Sequence, residues 1–152
     1  LARKKGDRLE ALRLSREVVD RLEPALGPQH PILGMAIGNL AGRLRDAGQG
    51  EEAVDLMRRA LSIGRRSPMR SHPKMIAGMV ELAGLLTQEG LAAKDEHRAE
   101  ENFNEAVSLY EEALQNLANQ SGPNLESQKT LIEQKLLAVR EARELQNSAV
   151  DP

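Results

Sequence analysis

Between Ala36 and Ala60 the apolar positions recur at helical spacing. Ile37, Leu40, Ala41 and Leu44 mark one stripe, and Ala53, Leu56, Met57 and Ala60 a second. Spacings of three and four residues are those of a helix that buries one face. Ala47-Gly48-Gln49-Gly50 lies between the stripes and carries turn residues. The pattern predicts two amphipathic helices joined at that turn. Small residues (Ala41, Gly48, Ala53 and Ala60) stand where the helices must approach closely. A hairpin with apolar residues on both sides cannot bury them alone and requires similar neighbours.

The rest of the chain supplies such neighbours. Residues 8–22 carry Leu9, Leu12, Val18, Val19 and Leu22 as an apolar stripe, with Pro24 and Gly27-Pro28 as the stop. Gly6 parallels Gly48, so residues 1–5 read as the end of a preceding helix. The chain begins in mid-repeat, which points to a helix or other segment upstream of Leu1. Pro31 suits the first turn of a helix reaching about Asp46, because its missing N–H is harmless there. Pro73 opens another, with Ile76, Met79, Val80, Leu82, Ala83, Leu85 and Leu86 as its stripe and Gly90 as its end. A long helix is expected over 94–119, and a last one over 124–147 after Gly122-Pro123.

These elements repeat. His30-Pro31 recurs as His72-Pro73, a shift of 42 that also carries Leu40-Ala41 onto Leu82-Ala83, Leu44 onto Leu86 and Gly48 onto Gly90. The backward shift carries Gly48 onto Gly6, Ala53 onto Ala11 and Leu56 onto Leu14. A fixed period of this size signals stacked supersecondary units. The period then breaks, because the alanine expected at 95 is Ala106, an excess of eleven residues near 91–101. Eleven residues are close to three helical turns at about 3.6 residues per turn. They can lengthen the following helix backward without rotating its apolar face, which runs through Ala92, Ala99, Phe103, Ala106, Tyr110, Ala113 and Leu117. The added turns form a charged overhang containing Lys94, Asp95, Glu96, Arg98, Glu100 and Glu101.

Asn39-Leu40-Ala41, Leu44, Gly48, Ala53, Met57 and Ala60 resemble a tetratricopeptide repeat. The 42-residue spacing and the Leu26-Gly-Pro-Gln-His-Pro31 linker are similar to the kinesin-light-chain type. The resemblance covers residues 6 to 120. The usual aromatics are replaced by Ile37, Leu44, Met79 and Leu86. It implies an all-α fold, a right-handed α-solenoid of antiparallel helix pairs with about six helices. It organises residues 1–152 as one domain: a partial repeat at 6–23, a repeat at 31–66, a repeat at 73–119 containing the insertion, and a capping helix at 124–147. It also implies a concave peptide-binding surface that takes Met35, Gly38, Asn39, Gly42, Arg45 and Asp46 from one unit. The next contributes Ala77, Val80, Glu81, Gly84, Thr87 and Gln88. Asn39 offers both a donor and an acceptor to a peptide backbone, and Arg45 a cation to a carboxylate. Lys94 and Arg98 on the overhang are candidates for a further contact. Kinesin light chains take acidic cargo peptides in this groove, but here Glu81 and Asp46 oppose such a ligand.

Composition narrows the function. The chain has 152 residues and a net charge of −2, with Phe103 and Tyr110 as its only aromatics and no cysteine. Disulfides and thiolate metal sites are excluded, though the compartment is not fixed. No run approaches the roughly 18 apolar residues of a membrane span. Residues 1–73 hold 14 Lys/Arg against 9 Asp/Glu, and residues 74–152 hold 7 against 14. The basic half lacks aromatics for base stacking, so nucleic acid is not an expected partner. His30, His72 and His97 are dispersed, and no metal or other cofactor is expected. No phosphate loop or catalytic constellation occurs. The expectation is a non-enzymatic scaffold or adaptor that binds a protein or peptide. The alternative is a structural subunit held inside a large multiprotein complex.

Overall fold

The computed structural model describes residues 2–68 and 70–148, with side chains from Gly6 onward. These residues form six helices and no strand: α1 (Ala2–Leu26), α2 (Pro31–Asp46), α3 (Gly50–Arg65), α4 (Pro73–Ala92), α5 (Glu96–Ala118) and α6 (Leu125–Ser148). They gather into two compact units that divide between Arg70 and Ser71.

In the first unit α2 packs against both α1 and α3. Leu33, Ile37, Leu40 and Leu44 of α2 are buried among Leu12 and Val19 of α1 and Ala53 and Ile63 of α3. Burying each large aliphatic side chain contributes about 1.5–3 kcal/mol. The α2–α3 turn is a Schellman motif. The Gln49 N–H donates to Leu44 O at 2.9 Å and the Gly48 N–H to Arg45 O at 2.9 Å. Gly48 has φ +80°, a conformation that suits residues without a Cβ. Two ion pairs, Arg16–Glu52 at 2.7 Å and Arg59–Glu23, tie α1 to α3.

Three expectations for α1 are corrected. Gly6 is not a turn, since α1 runs through it from Ala2. One glycine inside a helix costs only about 0.5–1 kcal/mol. Pro24 does not end α1 either. It sits in the last turn, where its ring removes a single backbone bond, and the exposed end can be solvated. Gly27 supplies the stop, with φ +88° and its N–H on Glu23 O at 2.9 Å. Leu9 and Val18 lie outside the buried stripe, at 57% and 48% exposure.

In the second unit α5 packs against α4 and α6, and α4 also touches α6. Phe103 and Tyr110 are the largest side chains of its core, alongside Met79, Leu82, Leu86, Ile132 and Val139. The inserted residues are shared between two helices. α4 has 20 residues where α2 has 16, and α5 has 23 where α3 has 16. Those four and seven extra residues account for all eleven, and each increment lies close to a whole number of turns. Both inner faces therefore stay in phase. The three-residue connector Ala93-Lys94-Asp95 replaces Ala47-Gly48-Gln49. Its first residue is extended (φ −68°, ψ 133°), and the Asp95 side chain caps α5 by accepting from the Arg98 N–H at 2.8 Å.

The expected helix end at Gly90 is therefore wrong. Gly90 is buried within α4, and a Cβ there would lie 2.9–3.1 Å from three ring carbons of Phe103. Ala92 closes α4 rather than opening the α5 stripe. α5 begins at Glu96, not Lys94. α6 (Leu125–Ser148) has both an inner and an outer apolar set. Ile132, Leu136 and Val139 are buried, while Leu131, Leu137 and Leu145 face outward at 52%, 57% and 73% exposure. Asn124, at φ 65°, turns the chain into α6.

His30 and His72, one repeat apart, have the same role. Each Nδ1 accepts the backbone N–H two residues on, from Ile32 at 3.2 Å and Lys74 at 3.1 Å. Both imidazoles are thus side-chain N-caps placed before the N1 proline.

Two glycine substitutions should act with opposite sign in urea denaturation. Gly6→Ala, with nothing within 4 Å of the added methyl, should stabilise by about 0.5–1 kcal/mol. Gly90→Ala should destabilise by about 1–3 kcal/mol, because the Phe103 ring must move. In a separate measurement, His72→Ala should cost about 1 kcal/mol and His72→Ser much less, since serine also caps.

Candidate protein-binding surface

Each unit presents the outer face of its first long hairpin helix, and each face is described on its own. On α2 the residues opposite the core stripe are Ile32, Met35, Asn39, Gly42 and Asp46. Their spacing of three and four residues places them in one strip. Ile32 is 48% exposed and Met35 41%, Asn39 and Asp46 are exposed, and Gly42 is half-buried with nothing within 4 Å of where a Cβ would stand. The strip combines two apolar side chains, an amide with donor and acceptor, and a glycine that leaves room for an approaching backbone. Ile32 was absent from the candidates read in the sequence. Its signal was available, because it lies three residues before Met35 on the side away from Leu33 and Ile37.

The other α2 candidates are placed differently. Gly38 faces α3, and a Cβ there would lie 3.8 Å from the Ala60 Cβ. Gly34 is tighter, 3.0 Å from Ile63 Cγ2. Gly34 thus permits close helix packing, whereas a methyl at Gly38 would make an ordinary contact. Arg45 is exposed, with its guanidinium held by the adjacent Asp46 at 2.8 Å. An exposed pair of this kind contributes about 0–1 kcal/mol and partly neutralises the cation expected to meet a ligand.

On α4 the corresponding strip is Lys74, Ala77, Glu81, Gly84 and Gln88. Lys74, Ala77 and Gln88 are exposed. Val80 and Glu81 are half-buried, and Glu81 is engaged by the protein itself. Gly84 lies over the phenol of Tyr110, 3.8 Å from Oη to the position of a Cβ. Thr87 donates to Ala83 O at 2.7 Å. Burial pushes the Tyr110 phenol above its ordinary value, and a hydrogen bond with Thr87 acts the other way. Among the described residues of unit two, Lys94 and Arg98 are exposed on the connector and first turn of α5, and Arg98 has a partner of its own.

Among the described residues no group of three or more His, Cys, Asp or Glu could hold a metal ion, and no helix is long and apolar enough to cross a membrane. Elsewhere, a hydrogen bond from Arg13 holds the Glu10 carboxyl below the usual carboxylate range, and the same contact raises the Arg13 guanidinium further.

Comparison with known proteins agrees with the hairpin geometry. The family model described as tetratricopeptide repeat matches residues 1–66. No curated protein matches the chain.

Because the buried phenol of Tyr110 resists ionisation, its contribution to stability is complete below the unfolded value of about 10 and is lost as pH rises through the higher folded value. Thermal melting from pH 9 to 11 should show a steeper decline for the native chain than for Tyr110→Phe. Equal slopes would mean that the hydrogen bond with Thr87 cancels the effect of burial on the phenol.

Proposed function

Residues 1–66 belong to the tetratricopeptide-repeat family, and from this premise we propose that the protein is a scaffold that holds a partner protein or peptide on the outer strip of α2. Tetratricopeptide repeats mediate protein–protein interactions, and the family is typically non-enzymatic. The observation that carries the reading is the exposed run Ile32, Met35, Asn39 and Gly42. Large apolar side chains turned to solvent beside an uncommitted amide are what a peptide contact uses. Apolar surface supplies affinity, and the amide fixes the direction of the bound backbone. The strip carries little positive charge, so an acidic peptide is not the favoured ligand. In the second unit α4 offers a strip of its own with Ala77, Val80, Glu81, Gly84 and Gln88.

A second reading is favoured by a separate observation. Leu14 and Val18 on α1, and Leu131, Leu137 and Leu145 on α6, are also exposed. Apolar residues of this size outside the α2 strip suit a structural subunit clamped by neighbours in a large assembly. Single exposed hydrophobes are ordinary on any surface, which ranks this reading second.

Site-specific photocrosslinking separates the two. A crosslinker at Met35 or Asn39 should capture one discrete partner, and Asn39→Ala should weaken that complex about five- to tenfold through loss of a hydrogen bond. Crosslinks arising only at Leu14 or Leu145, with full binding retained by Asn39→Ala, would replace the scaffold reading with the subunit reading.

A further inference from the structure

Residues 56–70 contain five arginines and no carboxylate. Four of the five surround one side chain of α3. Ser62 has Arg58 and Arg59 four and three residues before it, and Arg65 and Arg66 three and four residues after it. Arg66, the C-cap, still has helical backbone angles, so the spacing holds to the end. Residues three and four apart are neighbours on a helix surface, with Cβ atoms about 5–6 Å apart. The two arginine pairs are seven residues from each other, about 10 Å along the axis. A group on Ser62 lies midway between them.

This face is open to solvent. Ser62, Arg58, Arg65 and Arg66 are exposed, and Arg59 is half-buried. The arginines have partners, but loose or shareable ones. Arg58 meets Asp55 at 3.5 Å, Arg66 donates to the Gln29 amide oxygen at 3.3 Å, and Arg59 pairs with Glu23 of α1; Arg58 and Arg65 have further contacts within the protein. Exposed contacts of this kind are weak and exchange readily. The other serine of the stretch differs. Ser67 is 8% exposed and donates its hydroxyl to Gly64 O at 2.8 Å. Of the two, Ser62 alone turns outward. It stands in the last turn of α3, where few backbone bonds must open for an enzyme to reach it.

We propose that Ser62 is a phosphoryl acceptor for a protein kinase, and that the surrounding arginines clasp the phosphate it receives. In the transfer, Ser62 Oγ attacks the terminal phosphorus of ATP. The bond from that phosphorus to the bridging oxygen breaks, ADP departs with its electron pair, and the hydroxyl proton passes to a carboxylate of the kinase. Charge favours both halves of the proposal. Arginines flanking a serine suit a kinase with an acidic substrate cleft. A phosphoserine carries a charge of about −1.5 to −2 and three acceptor oxygens, which guanidinium groups meet with paired donors. The opposing influence is the negative end of α3, equivalent to about half a charge, against four full cations. The proposal rests on α3 and does not depend on the α2 strip.

The test incubates the whole 152-residue chain with ATP and a kinase that prefers arginine-flanked serines, beside a synthetic peptide of residues 55–70. Mass spectrometry should find phosphate on Ser62 of the folded chain, and Ser62→Ala should remove it while circular dichroism shows unchanged helix. Phosphate on Ser67 alone, modification of the peptide but not of the chain, or an unmodified Ser62 in both would each overturn the acceptor assignment. The clasp is read separately, on a chain in which Ser62 is replaced by phosphoserine during translation. Phosphorus-31 NMR should place the second ionisation of the phosphate at least about half a unit below its ordinary value of about 6. Arg65→Gln with Arg66→Gln should bring it back toward that value. An ionisation at the ordinary value with all four arginines present would overturn the clasp. Loss of the α2-strip complex would leave both assignments intact.

Discussion

The structure depends on how closely two helices of a hairpin can approach. Where α2 meets α3, a Cβ on Gly34 would stand 3.0 Å from the Ile63 side chain. Where α4 meets α5, the Phe103 ring occupies the space left by Gly90. At each point one helix gives up its side chain so that its partner can press against backbone. The conformational cost of a helical glycine, about 0.5–1 kcal/mol, is offset by the apolar area that close approach removes from water.

That constraint governs what else each helix can carry. With one face of α2 committed to α1 and α3, the opposite strip is free to hold exposed Ile32 and Met35 without loss of core. In the second unit close packing allows an extended hairpin: four residues added to α4 and seven to α5 keep their inner faces in phase. Extended backbone at Ala93 takes up the difference in reach. The added turns of α5 reach the core through Ala99 and Asn102, while their charged residues stay exposed. Their outer side faces the end of α6 across a cleft of about 470 Å³.

The polar residues divide by the same logic. His30 and His72 are bound to backbone N–H groups at helix starts, Asp95 does likewise for α5, and Arg45 is held by Asp46. Side chains taken up in this way have little left for a partner. Asn39, without such a duty, keeps its amide donor and acceptor open to solvent.

The sequence by itself determined the helices, their hairpin order and the core stripes, because these follow from local spacing and from a repeat offset that any reader of the chain can measure. It also marked α2 as the source of an exposed strip and located the eleven extra residues. Only tertiary packing decided what each glycine does. Gly6, Gly48 and Gly90 occupy matching positions in the repeat, yet one is an ordinary helical residue, one a left-handed turn and one a seat for an aromatic ring. That outcome is set by what lies opposite: nothing beside Gly6, a complete Schellman turn at Gly48, and Phe103 at Gly90. Periodicity reports which way a side chain points along its own helix, but the neighbour it meets belongs to another part of the chain. Consequently the tight seat of Gly34 on Ile63, the engagement of Glu81 and the α5–α6 cleft became visible only once the facing helices were in place.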